Sequence, residues 1–408
     1  MKFRYSRHGL NKKENFLQRF FEILPGLTSW TLILGLVALS IWAPLVAAIA
    51  VIVFMLAWVL RLFYLTIFLL LSYVRLSIEK NTDWSARIRG MDRFDAYLAE
   101  ICMARYEKDV YKRLSHWMHR KDMERLKKSG NIPPRSSEIF HLVVIPVVKE
   151  SPAVVAANVL SVLQNKAFAS QTIVTLAVEA RAQQSIKEGM GQIAKEYRDR
   201  FMEFLVVEHP DGLPGEARVK GANTSYAAKV AAKYFEEKKI PFENVIVSCF
   251  DADTVVGSDY FACLTYCFMN CPDRQRASFQ PIPVFHNNIW EVPGFARVIE
   301  TGSSFFQLIE TTDPERLVTF SSHSMSFKAL VEVGYWSADM ISEDSGIFWK
   351  AYLFFDGQYQ VVPMPMTLSM DIVDAGSWWG TVGSLYKQKR RWAWGVENFP
   401  LVMRGFLM

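Results

Sequence analysis

The sequence predicts an α/β domain with a mostly parallel sheet, carried on an N-terminal pair of apolar helices. Three observations predict it. From Leu27 to Val74 the only charge is Arg61, in a stretch of Leu, Ile, Val, Ala and aromatic residues. From Ile139 to Phe250 short apolar runs alternate with helical patterns, the βα order of a helix-covered parallel sheet. With 51% hydrophobic and 21% charged residues in 408, the composition excludes a disordered chain and is too apolar for an ordinary soluble domain.

The apolar stretch is too long for a secretory signal and for a single span, since about 20 residues cross the hydrocarbon. Pro44 marks a division, giving helices near 27–43 and 45–66 that turn around Trp42–Pro44. One bent helix, or a buried soluble hairpin, is the alternative. Residues 1–21 carry Lys2, Arg4, Arg7, Lys12, Lys13 and Arg19 against Glu14, matching the whole chain's net +5. Further cations, Arg75, Lys80, Arg87 and Arg89, follow the second helix. The positive-inside bias therefore puts both ends of the hairpin in the cytoplasm, at an inner or plasma membrane. Five cysteines form no secreted disulfide scaffold.

Residues 83–130 mix both charges with apolar residues at helical spacing (Met91, Phe94, Leu98, Ile101, Tyr111, Leu114, Met118). One or two amphipathic helices are expected, on the membrane surface or packed on the next domain. Ser129–Ser137, with Gly130 and Pro133–Pro134, reads as a linker. Beyond it, strands are expected at Ile139–Ile145, Thr172–Val178, Phe204–Val207 and Val245–Phe250. Helices are expected at Val154–Gln164, Ser185–Arg200 and Gly221–Lys239.

In such a sheet ligands sit beyond the carboxyl ends of the strands, which directs attention to Lys149–Glu150, Glu179 and Asp251–Asp253. Asp251-Ala252-Asp253 follows a buried strand, and its two carboxylates suit a hard cation that takes further oxygens from a diphosphate. A solvated or structural pair is the alternative. Lys220-Gly221-Ala222-Asn223 opens an Ala-rich helix, either as a phosphate contact or as a plain helix start. Glu343-Asp344 supplies either a general base or the favourable acidic first turn of a helix through Ile347–Tyr352, with Ser342 suited to capping. Gln388–Trp394 combines cations with indoles, suiting a diphosphate, a sugar face or a membrane surface. Cys263, Cys267 and Cys271 read as core residues rather than a zinc site. His323 among serines reads as a polar turn, because no G-x-S-x-G elbow precedes it. Met364–Met370 and the Trp-rich 376–383 read as a loop, and Phe399–Met408 as the start of an interfacial helix. Nothing resembles a nucleic-acid module.

The order of these segments resembles a membrane-embedded family 2 glycosyltransferase of the broad cellulose synthase and hyaluronan synthase-like group. Ile145–Glu150 looks like the family's V-P-x-x-N-E, with Lys149 in place of Asn. Lys220–Asn223 looks like K-A/G-x-N, Asp251–Asp253 matches D-x-D, Ser342–Asp344 resembles T-E-D, and Gln388–Trp392 matches Q-x-x-R-W. Glu179 falls where the family has an Asp pair, and Ala180-Arg181 follows it instead of the second Asp and Gly.

The resemblance implies a GT-A fold, Rossmann-like with a mostly parallel sheet, and inverting transfer from a nucleotide-diphosphate sugar. A UDP-sugar is the favoured donor, and the acceptor is a polysaccharide or lipid-linked hydroxyl. It implies Mg²⁺ or Mn²⁺ on Asp253 and Asp251, with donor contacts from Glu150, Glu179, Lys220 and Arg391. Asp344 is the implied base with Glu343 beside it, and Trp392 and Gln388 meet the acceptor. The expected divisions are a basic cytoplasmic N-terminus over 1–26, a transmembrane hairpin over 27–74 and an amphipathic region with linker over 75–135. A catalytic domain over 136–375 and an interfacial segment over 376–408 complete them. Membrane lipids and a partner membrane subunit are the implied neighbours, and nucleic acid is not. The competing readings are an inactive or regulatory subunit of a polysaccharide synthase complex, and a sugar-nucleotide hydrolase or nucleotidyltransferase.

Overall fold

The structure is a computed structural model that describes residues 5–103 and 108–408. Lys2 and Arg4 of the basic cluster lie outside the described residues. Helix α1 spans Lys12–Trp42 and α2 spans Pro44–Glu79. The break falls at Ala43, inside the expected turn, where its non-helical backbone and Pro44 at the first helical position end one helix and start the next. Both helices outrun the expected limits. Asn11 starts α1 with a reciprocal cap, its Oδ1 accepting from Glu14 N at 2.9 Å while Glu14 Oε2 accepts from Asn11 N at 2.7 Å. At 31 and 36 residues they reach roughly 45–55 Å, beyond an apolar layer of about 30 Å. Leu32, Ile41, Leu45, Phe54 and Leu60 all stand exposed on them, as a lipid-facing pair requires.

Three helices, not one or two, follow: α3 (Trp84–Met91), α4 (Phe94–Met103) and α5 (Val110–Ser129). Their apolar stripe is packed on the domain, with Trp84, Ile88, Met91, Phe94, Leu98, Met123 and Leu126 buried in its core. Glu79 joins α2 to this layer, accepting from Ser115 Oγ at 2.9 Å and pairing with Arg87 at 3.3 Å.

The domain's strands are β1 (Phe140–Val147), β2 (Thr172–Glu179), β3 (Glu203–His209), β4 (Val245–Cys249), β5 (Val255–Val256), β6 (Ala277–Phe285), β7 (Ser324–Ser326) and β8 (Gln360–Met370). Between and after them run α6 (Pro152–Leu163), α7 (Gln184–Tyr197), α8 (Lys220–Glu237), α9 (Tyr260–Asn270), α10 (Gly294–Glu310), α11 (Phe327–Glu332), α12 (Glu343–Phe354), α13 (Trp378–Ala393) and α14 (Asn398–Leu407). They form one sheet in the order β3-β2-β1-β4-β7-β6-β8-β5.

The four expected strands are parallel neighbours, and β6 runs parallel to β8. The expectation of a mostly parallel sheet is corrected on the other half. There β7 is antiparallel to β4 and β6, and β5 is antiparallel to β8, so the sheet is mixed. A second correction concerns the expected C-terminal loop: Met364–Met370 is the end of β8, and most of 376–383 is the start of α13, capped by Ser377. Two apolar layers cover the sheet, one containing α3–α7 and α9 side chains, the other α8, α11 and α12. The carboxyl ends of β1, β2 and β4 therefore open along one edge.

Candidate functional site

Asp251 lies two residues beyond β4, where the chain leaves the buried sheet. Its turn is held from behind by the buried Asn158, whose Nδ2 donates to Asp251 O at 2.9 Å. In front lies the serine turn before β7. Ser321 Oγ donates to the Asp251 carboxylate, and Ser322 Oγ accepts from Asp251 N at 3.3 Å. Ser322 has φ of 60°, a left-handed conformation that costs a non-glycine residue energy and recurs at functional turns.

Two helices aim their N-termini at this point. Lys220 is the first residue of α8, and Glu343 and Asp344 are the first two of α12. Gly221 lets them meet: a Cβ there would lie 2.3 Å from Ser337 O and 3.0 Å from Glu343 Cβ. Lys220 Nζ reaches Asp251 Oδ1 at 2.7 Å, Asp344 at 3.1 and 3.2 Å, and Glu343 at 3.6 Å. One ammonium thus joins the strand-end carboxylate to the helix-end pair. Thr319 Oγ1 donates to Asp344 O at 2.6 Å, fixing the backbone of α12 as well.

The charges shift one another. Burial opposes the Lys220 charge, yet Asp251, Asp344, Cys249 and Glu343 push its ammonium well above the usual lysine value. Burial also raises Asp251, but Lys220, the Ser321 hydrogen bond and Arg391 outweigh it and hold this carboxyl low. Burial and the neighbouring Asp344 push Glu343 up to about 8, against the pull of Lys220. His323, 3.7 Å from Asp344, is pushed down by burial. Its Nδ1 donates to Phe320 O at 3.1 Å and its Nε2 accepts from Trp336 Nε1 at 3.4 Å, the pattern of a neutral ring.

Asp253 turns toward the far side, where Asp371 N donates to its Oδ2 at 3.2 Å. Asn287 Nδ2 ties Asp253 O at 3.2 Å to Asp371 Oδ1 at 3.0 Å. Burial, with the charges of Asp251 and Asp371, raises Asp253 to about 7. Asp371 escapes the sequence reading because the run before it, broken by prolines, reads as a loop. The signal that could have found it is an Asp closing an apolar strand, as Asp251 does. Among the described residues, no group of three or more His, Cys, Asp or Glu side chains is arranged to hold a metal ion by itself.

The remaining expected residues are more dispersed. Glu150 folds onto its own turn, its Oε2 accepting from Val148 N at 2.7 Å and Lys149 N at 2.9 Å. Glu179 pairs with Arg181 in a cavity of about 130 Å³ that His209, Asp211, Glu216 and Arg218 also line. With β2 two strands from β4, this cavity lies roughly 10 Å along the same edge. Asn223 is buried and donates to Ala177 O at 2.6 Å, serving the sheet rather than the surface. On α13, Arg391 is exposed, and Trp392, 41% exposed, packs on Phe285 at 6.0 Å with the Lys389 ammonium 3.7 Å over its ring. Gln388 Oε1 is buried with no hydrogen-bond partner among the described residues.

Residues 246–407 match the family described as glycosyl transferase family group 2. This stretch of the chain is similar to family 2 glycosyltransferases. Poly-β-1,6-N-acetyl-D-glucosamine synthase of Staphylococcus epidermidis (strain RP62A) is 32% identical over 178 residues, which is 39% of this chain and 36% of that protein. The enzyme of the same name from Staphylococcus aureus (strain COL) is 31% identical over 176 residues, again 39% and 36%. The match thus spans about a third of the curated relatives' length. Among solved structures, mannosyltransferase PcManGT from Pyrobaculum calidifontis, in complex with GDP-Man and Mn²⁺, aligns over 79% of this chain and 85% of its own, at 12% identity and a TM-score of 0.42. TarS 1–349 of S. aureus aligns over 57% and 60%, at 13% identity and 0.38. At those scores the likenesses add nothing to the homology.

Proposed function

We propose that this glycosyltransferase homologue is a GT-A enzyme of the membrane-embedded group. It moves a sugar, with inversion, from a nucleotide-diphosphate sugar to a polysaccharide or lipid-linked hydroxyl at the cytoplasmic membrane face. The observation that carries the reading is the Lys220 bridge. Asp251 and Asp344, 93 positions apart in the chain, lie 2.7 and 3.1 Å from one ammonium. A diphosphate side and a proton-accepting side thus share one gap.

In this reading Asp344 accepts the proton of the acceptor hydroxyl as that oxygen attacks the anomeric carbon, and the diphosphate leaves on the opposite face. In this structure the Lys220 ammonium occupies the Asp344 carboxylate at 3.1 Å. Movement of Lys220 onto the incoming diphosphate frees Asp344 and adds positive charge to the leaving group. Arg391, whose charge reaches Asp251, adds to the same neutralisation. Glu343, with its raised pKa, holds a proton beside Asp344 and limits the negative charge there. Trp392 offers its exposed face to the acceptor sugar, with Gln388 behind it. The Glu179 cavity suits the nucleoside end of the donor, since it lies a nucleotide's length from Asp251.

The oxygen-only donors Asp251 and Asp253 fit Mg²⁺ or Mn²⁺. Burial raises the Asp253 carboxyl first, and the charges of Asp251 and Asp371 add to it, a repulsion that a divalent cation would relieve. When bound, the cation would supply charge stabilisation to the diphosphate.

A panel of UDP-, GDP- and dTDP-sugars, with Mg²⁺ or Mn²⁺ in a lipid extract and mass detection of products, tests the proposal. A new glycoside is expected from at least one donor. Free sugar alone would indicate a hydrolase, and unchanged donors throughout would contradict a transferase.

A further inference from the structure

The end of α12 that carries Glu343 and Asp344 is capped from elsewhere in the chain. Its N-cap residue, Ser342, makes no capping bond with its own side chain. Instead Ser342 N donates to Glu397 Oε1 at 2.7 Å, and Ser342 Oγ donates to the same oxygen at 2.6 Å. Asn398 Nδ2 adds bonds to Ser342 Oγ at 3.2 Å and Ser345 Oγ at 2.9 Å. Glu397 and Asn398 are both more than nine-tenths buried. They lie just after Gln388–Trp392, so the segment that presents Trp392 also grips the start of α12.

The other Glu397 oxygen is held by the N-terminal segment. Arg7 Nη2 reaches Glu397 Oε2 at 2.5 Å. Tyr5 OH donates to Asn398 Oδ1 at 2.8 Å, and Arg404 Nη2 donates to Ser6 O at 2.6 Å. Tyr5 is itself buried with Met340, Leu401 and Val402. Five residues after Arg7 the chain enters α1, the first apolar helix. A buried carboxylate paired with a guanidinium depends strongly on that partner.

We propose that Glu397 is a positioning residue for Asp344, and that the Tyr5–Arg7 strap locks it, so that the membrane anchor holds the base-bearing end of α12 in register with Asp251. The inference rests on the reading of Asp344 as the base. Its physical basis is independent of that reading: a helix end clamped by Glu397 on one side and by Thr319 on the other has little freedom to displace Asp344.

The test uses the full chain in lipid nanodiscs, with donor kinetics and amide exchange over Ser342–Gly346 measured on Arg7→Gln, Glu397→Gln and Glu397→Ala. Glu397→Ala is expected to lower kcat by about 10- to 100-fold with donor KM within about threefold, and to speed exchange over Ser342–Gly346. Glu397→Gln, whose amide oxygen still accepts from Ser342, should keep kcat within about threefold of wild type. Arg7→Gln should speed the same exchange. Wild-type kcat in Glu397→Ala overturns the proposal, as does a loss in Glu397→Gln equal to that in Glu397→Ala. So does a loss confined to KM. If the wild-type chain transfers no sugar, the base reading fails on that result alone. Exchange then decides the clamp: a rise in Glu397→Ala and Arg7→Gln supports it, and wild-type exchange in either overturns it.

Discussion

Lys220 holds together carboxylates that arrive from β4 and α12, so its removal has consequences that differ from an ordinary surface lysine. Lys220→Met leaves Asp251, Asp344 and Glu343 facing one another without that cation. Because the site is partly open to solvent, a loss of about 1–3 kcal/mol is expected, read as a lower melting temperature, together with loss of turnover. Glu343 has the opposite signature. Its folded pKa of about 8 stands above its ordinary 4.5, so the folded state holds a proton that the unfolded chain releases. Wild-type stability is therefore full below pH 4.5 and falls as pH rises toward 8. Glu343→Gln lacks this loss, and its melting advantage over wild type should grow between pH 5 and pH 9, to about 1–3 kcal/mol. A difference that does not vary with pH would contradict the assignment. Asp251, Lys220 and Asp344 stand out in the sequence because each lies just past a strand end or at a helix start. Asn158, Asp371 and Glu397 do not, because each acts through a partner distant in the sequence.

Among the elements, the close approach of α8 to Ser337 O and to the start of α12 depends on Gly221. Gly221→Ala puts a methyl group 2.3 Å from a backbone oxygen that has no side-chain freedom. A cost of about 1–3 kcal/mol or more is expected, with turnover falling because Lys220 and Asp344 are pushed apart. A melting curve unchanged from wild type would contradict the packing described. The βα half of the sheet was readable because β1, β2 and β4 are buried on both faces and therefore nearly continuous in apolar residues. Strand β7 was not. It is three residues of Ser-Met-Ser, and Ser324 reaches its sheet position through a 2.7 Å bond to Ser248 rather than through an apolar pattern. Strand β8 resembles a loop in sequence because prolines interrupt its run at Pro363 and Pro365, where the pairing with β6 is irregular. The start of α13 resembles one through its glycines, although Ser377 caps it.

For the whole molecule, the hairpin α1–α2 and the candidate site impose a topology. The hairpin was legible because 48 residues with one charge expose too much apolar surface for water to cover. The helices' true lengths were not, since their polar ends resemble any surface helix. In sealed vesicles a membrane-impermeant maleimide should label the exposed Cys102 from the side that carries the domain, and Ala43→Cys from the opposite side. Labelling of both from one side would contradict the hairpin. The central claim is that Asp344 and the Asp251 end of β4 form one reaction centre. Sugar transfer by Asp344→Asn in nanodiscs, measured beside its affinity for the donor, tests it most directly. The account predicts turnover lower by about 10³-fold or more with donor affinity within about threefold of wild type. Turnover near the wild-type rate would contradict it.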